Sequence, residues 1–190
     1  NNLYRIVSHE NGTGTKITSA IPLKDSGNYK RLAFGDNTIF SKDNTIGTFL
    51  NGDYLTSGTY LTSDQVNMIE DNTTWYLGTI GSGTNYKLAK YKDATGSNLT
   101  TSTATAKIGL LRVGELMAGQ FDKYGNNTYY WTLTLYSLTR IRYIHSFCSQ
   151  SSENSPTASY GSRPSMNLKS TVKIVSGTGT KSSPFVLSGN

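Results

Sequence analysis

Short apolar runs alternate with clusters of turn residues along most of the chain. Residues 3–7 and 15–19 flank an Asn-Gly-Thr-Gly sequence at 11–14, and this arrangement predicts an antiparallel hairpin. Apolar and polar side chains alternate with a period of two from residue 129 to 136, which predicts the clearest strand. Further strands are predicted at residues 31–34, 74–78, 107–111, 139–147, 172–174 and 185–187.

Three stretches favour helical turns instead of strands. In the first, residues 46–50 carry apolar side chains at i, i+3 and i+4, which lie on one face of a helix. Ser41 or Asp43 is the predicted N-cap, and the Asn-Gly pair at 51–52 is predicted to end this helix. The third stretch, residues 112–118, is predicted to form one or two helical turns.

The second stretch, residues 64–71, is predicted to be a short helix with a capping box. Thr62 and Gln65 have the spacing at which each side chain accepts a hydrogen bond from the backbone N–H of the other residue. Val66 and Ile69 form the apolar edge of this helix. Because the predicted helices are short, packing rather than intrinsic propensity must hold them.

Two polar segments, the low-complexity residues 95–106 and residues 149–162, are predicted to be surface loops. No apolar run approaches the ~18 residues that a membrane-spanning helix needs. Many strands with two or three short helices predict an α+β fold with a mainly antiparallel sheet. The length predicts a single domain over residues 1–190.

Composition favours an extracellular location. Ser, Thr, Asn and Gly supply 84 of the 190 residues, and Cys148 is the only cysteine, which excludes an internal disulfide. The 13 Tyr, 6 Phe and 2 Trp provide enough bulky side chains for a core, so a disordered chain is excluded. The chain begins at Asn1 without a signal-peptide pattern, and it is therefore expected to be a fragment or a processed product.

The net charge of +6 comes entirely from the second half of the chain. Residues 96–190 hold nine basic and three acidic side chains, whereas residues 1–95 hold nine of each. An anionic wall polymer, an acidic glycan or a nucleic acid could exploit this excess. The charge is too diffuse for a nucleic-acid-binding stripe, and the sequence favours a soluble surface with few carboxylates.

Several ordered segments carry a resemblance to a known family. They are LYRIV at 3–7, TFLN at 48–51, WYLG at 75–78, KIGLL at 107–111, YWTL at 130–133, GSRPSMNL at 161–168, SGTGT at 176–180 and PFVL at 184–187. The set resembles a family of Gram-positive bacterial surface domains without an assigned function. Such domains occur in wall-anchored proteins and behind pilin-like or pseudopilin leader helices. They are distantly similar to the C-type-lectin and formylglycine-generating fold, so the resemblance implies a surface location and that fold.

The chain departs from the chemistry of that fold in two respects. Formylglycine generation needs a pair of cysteines, and Cys148 has no second cysteine. Calcium lectins use Glu-Pro-Asn or Trp-Asn-Asp runs, which this sequence lacks. Calcium needs about six to eight oxygen ligands, several of them carboxylates. Neither a cofactor nor a dedicated metal site is therefore expected.

Groups suited to catalysis are sparse in the sequence. A nucleophilic Ser, Thr or Cys needs a base, normally His, and the chain has only His9 and His145. Cys148 lies three residues after His145, but residues i and i+3 of a strand point to opposite faces. The only adjacent carboxylates, Glu70 and Asp71, lie at a predicted helix end. The sequence therefore predicts no catalytic residue.

A basic and aromatic set late in the chain is the strongest candidate for a binding surface. Tyr and Arg are favoured at recognition surfaces because they offer a large contact area and, for Arg, forked donors. In the alternative, they pack against one another as cross-strand Tyr–Arg pairs on an exposed sheet face, with Arg163 as a structural anchor. The predicted ligand-binding residues are Tyr136, Arg140, Arg142, Tyr143, Tyr160 and Arg163.

Together these observations predict a non-enzymatic, extracellular binding or adhesion module on the surface of a Gram-positive bacterium. The expected partner is a glycan, a wall polymer or a surface protein, and not a nucleic acid. Membrane attachment is expected only through an anchor outside this chain. Two alternatives remain: the globular head of a pilin-like subunit that assembles into a homo-oligomeric filament, and an enzyme acting on the wall or on glycans.

Overall fold

The computed structural model of the 190-residue chain describes residues 3–10, 14–81, 103–116, 128–146 and 151–189. Cys148 and residues 95–102 of the predicted low-complexity loop lie outside the described residues. Within the described ranges, no helix is long and apolar enough to cross a membrane.

Short strands and short helices form the regular structure of the described residues. The strands are β1 (Tyr4–Glu10), β2 (Gly14–Ser19), β3 (Lys24–Asp25), β4 (Asn28–Tyr29), β5 (Leu32–Ala33), β6 (Thr73–Tyr76), β7 (Thr103–Ala106), β8 (Tyr130–Ser137), β9 (Arg140–Ile144), β10 (Ser151–Asn154), β11 (Ser159–Tyr160), β12 (Ser165–Leu168), β13 (Val172–Ser176) and β14 (Val186–Gly189). The helices are α1 (Thr45–Asn51), α2 (Asp53–Thr56), α3 (Ser63–Asn67) and the single turn α4 (Val113–Glu115).

Every pairing between these strands is antiparallel. One three-stranded sheet has the order β1–β2–β12 and another has the order β10–β9–β8. The remaining strands form the pairs β3–β4, β5–β11, β6–β7 and β13–β14. This architecture confirms the predicted α+β fold with mainly antiparallel strands and short helices, and it confirms the predicted β1–β2 hairpin.

Two large indole side chains fill the main apolar cluster. Trp75 and Trp131 are each 1% exposed. The indole N–H of Trp75 donates to the Ala106 carbonyl at 3.0 Å, and that of Trp131 donates to the Leu32 carbonyl at 2.9 Å. Both buried N–H groups are thus satisfied, which keeps the cost of burying them low. A Cβ at Gly109 would lie 2.5 Å from the Trp75 ring, so this position requires glycine.

Residues 107–111 are predicted to form a strand. In the structure, residues 108–111 are buried, but the segment forms no strand. A single bridge joins Gly109 to Ser165, with two backbone hydrogen bonds of 3.0 and 2.9 Å. Next to that bridge, the Asn51 side chain accepts from the Ile108 N–H at 2.9 Å and donates to the Ile108 carbonyl at 3.0 Å. A side-chain amide thus takes the place of a neighbouring strand at Ile108.

The two predicted N-caps of the first helix, Ser41 and Asp43, are wrong, whereas its predicted end at Asn51 and Gly52 is confirmed. The N-cap of α1 is Asn44, whose Oδ1 accepts from the Gly47 N–H at 2.8 Å. Ser41 Oγ instead accepts from the N–H groups of Asp43 and Asn44 and shapes the turn before the helix. The sequence pattern did not identify Asn44, the residue that directly precedes the first helical residue, as the N-cap.

The predicted capping box of α3 is confirmed, because Thr62 and Gln65 exchange both hydrogen bonds. The helix nevertheless ends at Asn67 rather than at residue 71. Ile69 bridges to Leu168 instead, and the Glu70 N–H donates to the Asn167 carbonyl at 2.9 Å. Pairing with a distant segment therefore replaces the last helical turn.

Two segments predicted to be loops contain strands. Residues 103–106 form β7, which pairs with β6 over four residues. Within residues 149–162, β10 pairs with β9 and β11 pairs with β5. Polar composition favoured loops, but edge strands tolerate polar side chains because one of their faces meets water.

Candidate functional site

The predicted surface of arginines and tyrosines does not form as one patch. The expectation that all six residues lie at the surface is wrong for Arg142 and Arg163, which are 6% and 2% exposed. Arg140 is exposed next to the β8–β9 turn, and Tyr136 is half-buried. Tyr143 and Tyr160 do meet, with ring centroids 4.5 Å apart.

Arg142 is bound on all sides by the protein. Its Nε and Nη2 atoms donate to the Ile80 carbonyl at 3.0 and 2.8 Å, and Nη1 lies 3.5 Å from Glu153 Oε2. The guanidinium carbon lies 4.7 Å from the Tyr136 ring centroid, which is within cation–π range. This pair shows the cross-strand Tyr–Arg packing of the alternative prediction, but Arg142 is buried and does not lie on an exposed face. Arg142 thus fastens residue 80 to the β8–β9–β10 sheet.

Arg163 has a similar anchoring position at the other sheet. Its Nε donates to the Ser19 carbonyl at 2.9 Å, and Nη1 donates to the Tyr130 hydroxyl at 3.3 Å. The guanidinium also lies over the Tyr130 ring at 5.4 Å. Arg163 therefore links the end of β2 to the start of β8, and it does not present its charge to solvent.

A different set of side chains forms a continuous aromatic surface on one face of the β10–β9–β8 sheet. Trp131 on β8 lies directly opposite Tyr143 on β9. Tyr129 lies two residues before Trp131, and His145 lies two residues after Tyr143. Side chains two residues apart along a strand share a face. The aromatic face comprises Tyr129, Trp131, Tyr143, His145 and Tyr160.

Backbone pairing brings Tyr160 onto this face from a distant segment. The Gly161 N–H donates to the Tyr129 carbonyl at 2.8 Å, and the Trp131 N–H donates to the Gly161 carbonyl at 3.0 Å. Tyr160, next to Gly161, consequently packs 4.7 Å from the Trp131 ring and 5.3 Å from the Tyr129 ring. The sequence pattern gave no indication of this pairing, because it is non-local.

The rings pack with tilted and edge-on geometry around a buried centre. Trp131 is buried, while the other four rings are half-buried. Tyr129 contacts His145 at 4.8 Å and Tyr143 at 5.4 Å between ring centroids. Edge-to-face pairs of this kind are favoured by the ring quadrupoles. The packing fixes the exposed parts of the rings before any ligand arrives.

Polar groups border the aromatic face. The Asn154 amide donates to the Tyr160 hydroxyl at 2.7 Å, and the Tyr143 hydroxyl forms a hydrogen bond with Ser152. Burial raises the pKa of Tyr143; its bond to Ser152 opposes this rise, and the neighbouring tyrosines Tyr160 and Tyr129 add to it. The Tyr143 hydroxyl therefore stays protonated at neutral pH. The border thus combines hydroxyl and amide groups that donate and accept hydrogen bonds.

Sequence analysis missed Tyr129 and His145 as parts of this site. Tyr129 begins the alternating run that also contains Trp131, and His145 continues the alternation of Tyr143. The period of two therefore contained the signal that each pair shares a face.

The described residues hold no group of three or more His, Cys, Asp or Glu side chains arranged to bind a metal ion.

Comparison of the chain with protein-family models, with curated proteins and with solved structures found no significant match.

Proposed function

We propose that the chain is an extracellular binding module displayed on the surface of a Gram-positive bacterium, and that its aromatic face binds a glycan. One observation carries this proposal: four half-buried aromatic rings pack together on one sheet face beside hydroxyl and amide groups. The proposal retains Tyr143 and Tyr160 from the sequence prediction. It leaves out Tyr136 and the three arginines and adds Tyr129 and His145.

The chemistry of this face suits a sugar ring. The C–H groups of a sugar carry slight positive charge and pack against the electron-rich face of an aromatic ring. Ring packing already restricts Tyr129, Tyr143 and Tyr160, so little conformational entropy is lost on binding. The hydroxyl and amide groups of Ser152 and Asn154 are suited to sugar hydroxyls. A glycan is therefore favoured over a protein partner as the primary ligand.

The test is a screen of the full chain against glycans and purified wall polysaccharides, followed by titration calorimetry on each hit. Tyr129→Ala and Tyr143→Ala are each expected to weaken binding by about tenfold or more, as for central aromatic contacts at other interfaces. Tyr29→Ala is the matched control, because Tyr29 is a half-buried tyrosine on the separate β3–β4 hairpin. Circular dichroism establishes that each variant is folded.

Failure of every glycan to bind the folded chain would overturn the proposal. An equal loss with Tyr29→Ala would also overturn it, since binding would then not depend on the aromatic face. If glycans fail and the chain instead assembles with increasing concentration in light scattering, the filament-head alternative becomes the better explanation.

A further inference from the structure

A buried ion pair lies away from the aromatic face. Lys16 Nζ donates to Glu115 Oε1 at 2.8 Å, and the two side chains are only 15% and 2% exposed. The Trp75 ring covers the ammonium at 5.2 Å. The Arg112 N–H donates to the other carboxylate oxygen of Glu115 at 3.0 Å. Burying this pair is costly, and no step in glycan binding uses it.

An asparagine lies opposite this lysine. Lys16 on β2 and Asn167 on β12 are direct partners across antiparallel strands. Directly opposed residues have Cβ atoms about 4.5–5.5 Å apart and point to the same face. The neighbouring pair on that face confirms the geometry, because Ser165 Oγ donates to Thr18 Oγ1 at 2.9 Å.

The Asn167 side chain is itself buried at 5% exposure. Its Oδ1 atom is buried without a hydrogen-bond partner. The Lys16 amine and the Asn167 side chain, whose Oδ1 atom lacks a hydrogen-bond partner, thus share one face of the β2–β12 pair, and the buried Glu115 carboxylate contacts the amine there. From this arrangement we infer that Lys16 and Asn167 form an intramolecular isopeptide bond, with Glu115 as the proton-transferring group.

The reaction balances without any further reactant. Glu115 takes a proton from the Lys16 ammonium, and the free amine attacks Asn167 Cγ. The Lys16 Nζ–Asn167 Cγ bond forms, and the Cγ–Nδ2 bond of Asn167 breaks. Glu115 passes this proton to the leaving nitrogen and relays a second proton to it from the attacking nitrogen, so that one ammonium ion departs and Glu115 is again ionised. No oxidation or reduction occurs, and the fold supplies the proximity that makes attack on an amide feasible.

The charges around Glu115 keep it ionised before the first proton transfer. Burial by itself raises the pKa of Glu115, but the charges of Lys16 and Arg112 and their hydrogen bonds outweigh burial and hold the pKa below its usual value. The carboxylate is therefore ionised and in contact with the proton that it must accept. Lys16 has four rotatable methylene groups, so its nitrogen can move from Glu115 toward the opposite residue.

The test is the intact mass of the purified full chain under denaturing conditions. The expected mass is lower than the sequence mass by one ammonia. Trypsin should then release a branched peptide that joins residues 6–24 to residues 143–169, because cleavage after a modified Lys16 is blocked. Asn167→Ala and Lys16→Arg should each restore the full sequence mass. Glu115→Gln should greatly slow the loss of ammonia.

Lys107→Ala is the matched control, because Lys107 forms an equally short bond of 2.7 Å with exposed Asp71. This variant should still lose one ammonia. A full sequence mass in the folded, aged wild-type chain would overturn the inference, and this result needs no variant to fold. A mass loss with normal cleavage at Lys16 would also overturn it, since it would indicate a succinimide. Neither result bears on glycan binding, so this inference and the proposed function fail separately.

Discussion

Burial decides the role of each arginine late in the chain. Arg142 and Arg163 each donate to buried backbone carbonyls and pack on a tyrosine ring, whereas Arg140 is exposed. A buried guanidinium with several partners holds segments together, and its removal leaves those carbonyls unsatisfied. The same residue type therefore stabilises the fold at two positions and adds surface charge at the third.

Arg142→Ala is expected to lower the free energy of unfolding by about 2–4 kcal/mol, because it leaves the Ile80 carbonyl and Glu153 without their shared partner. Arg140→Ala, the exposed neighbour, should change it by less than about 0.5 kcal/mol. Urea unfolding followed by tryptophan fluorescence measures both values. Equal effects of the two substitutions would contradict the anchoring role of Arg142.

A pair formed by half-buried Tyr4 and buried Tyr54 is expected to make the protein sensitive to alkaline pH. The hydroxyls of Tyr4 and Tyr54 lie 2.7 Å apart, and burial raises the pKa of both groups above 10.0. For Tyr4 the hydrogen bond partly opposes this rise, and for Tyr54 it adds to it. A raised folded-state pKa contributes stability that is present below the unfolded value and is lost as the pH rises.

The free energy of unfolding should consequently fall as the pH rises above 10.0, the unfolded-state value for tyrosine. The double variant Tyr4→Phe with Tyr54→Phe should show a shallower fall over the same range. Tyr76→Phe, a half-buried tyrosine on β6, serves as the control. Urea unfolding at a series of alkaline pH values gives the slopes. Parallel slopes for wild type and the double variant would refute the expectation.

Elements formed by neighbouring residues were predictable, and those formed across the chain were not. The β1–β2 hairpin follows from its turn and its apolar runs, and the α3 capping box follows from a three-residue spacing. By contrast, β7 is a Thr and Ala sequence that becomes a strand only because β6 lies beside it. Local propensity contains no information on which distant segment supplies that partner.

The N-cap of α1 provides a test at the level of one element. Asn44→Ala is expected to lower the free energy of unfolding by about 1 kcal/mol, because it removes the bond to the Gly47 N–H. Asp43→Ala should have an effect below about 0.5 kcal/mol, since Asp43 is exposed and pairs only with exposed Lys42. Thermal and urea unfolding of both variants distinguish the two positions. A larger effect at Asp43 would restore the original cap prediction.

At the scale of the whole molecule, folding reduces the charge that the sequence suggested for the surface. Of the nine basic residues in 96–190, Arg112, Arg142 and Arg163 are buried, and of the three acidic residues Glu115 is buried. Among the described residues of this half, five basic side chains and one acidic side chain are not buried: Lys107, Arg140, Lys169, Lys173, Lys181 and Glu153. The excess is thus smaller than composition indicates, which weakens the case for a polyanionic partner.

Glycan binding through the aromatic face should therefore depend little on salt. We expect the affinity to change by less than about twofold between low and high ionic strength, because only interactions between charges are screened. Arg140→Ala should likewise change the affinity for the glycan by less than about twofold. Titration calorimetry at two salt concentrations measures both effects. A steep loss of affinity with salt would instead assign binding to the exposed basic residues.

The sequence by itself determined the fold class, the hairpin and the period-two faces of β8 and β9. These features depend on residues close together in the chain, so their spacing is visible in the sequence. Tertiary structure decided which arginines are buried, that Tyr160 joins Trp131, and that Asn167 lies opposite Lys16. Each of these joins residues distant in sequence. Periodicity states which side chains share a face of one strand, but only packing selects the strand that lies beside it.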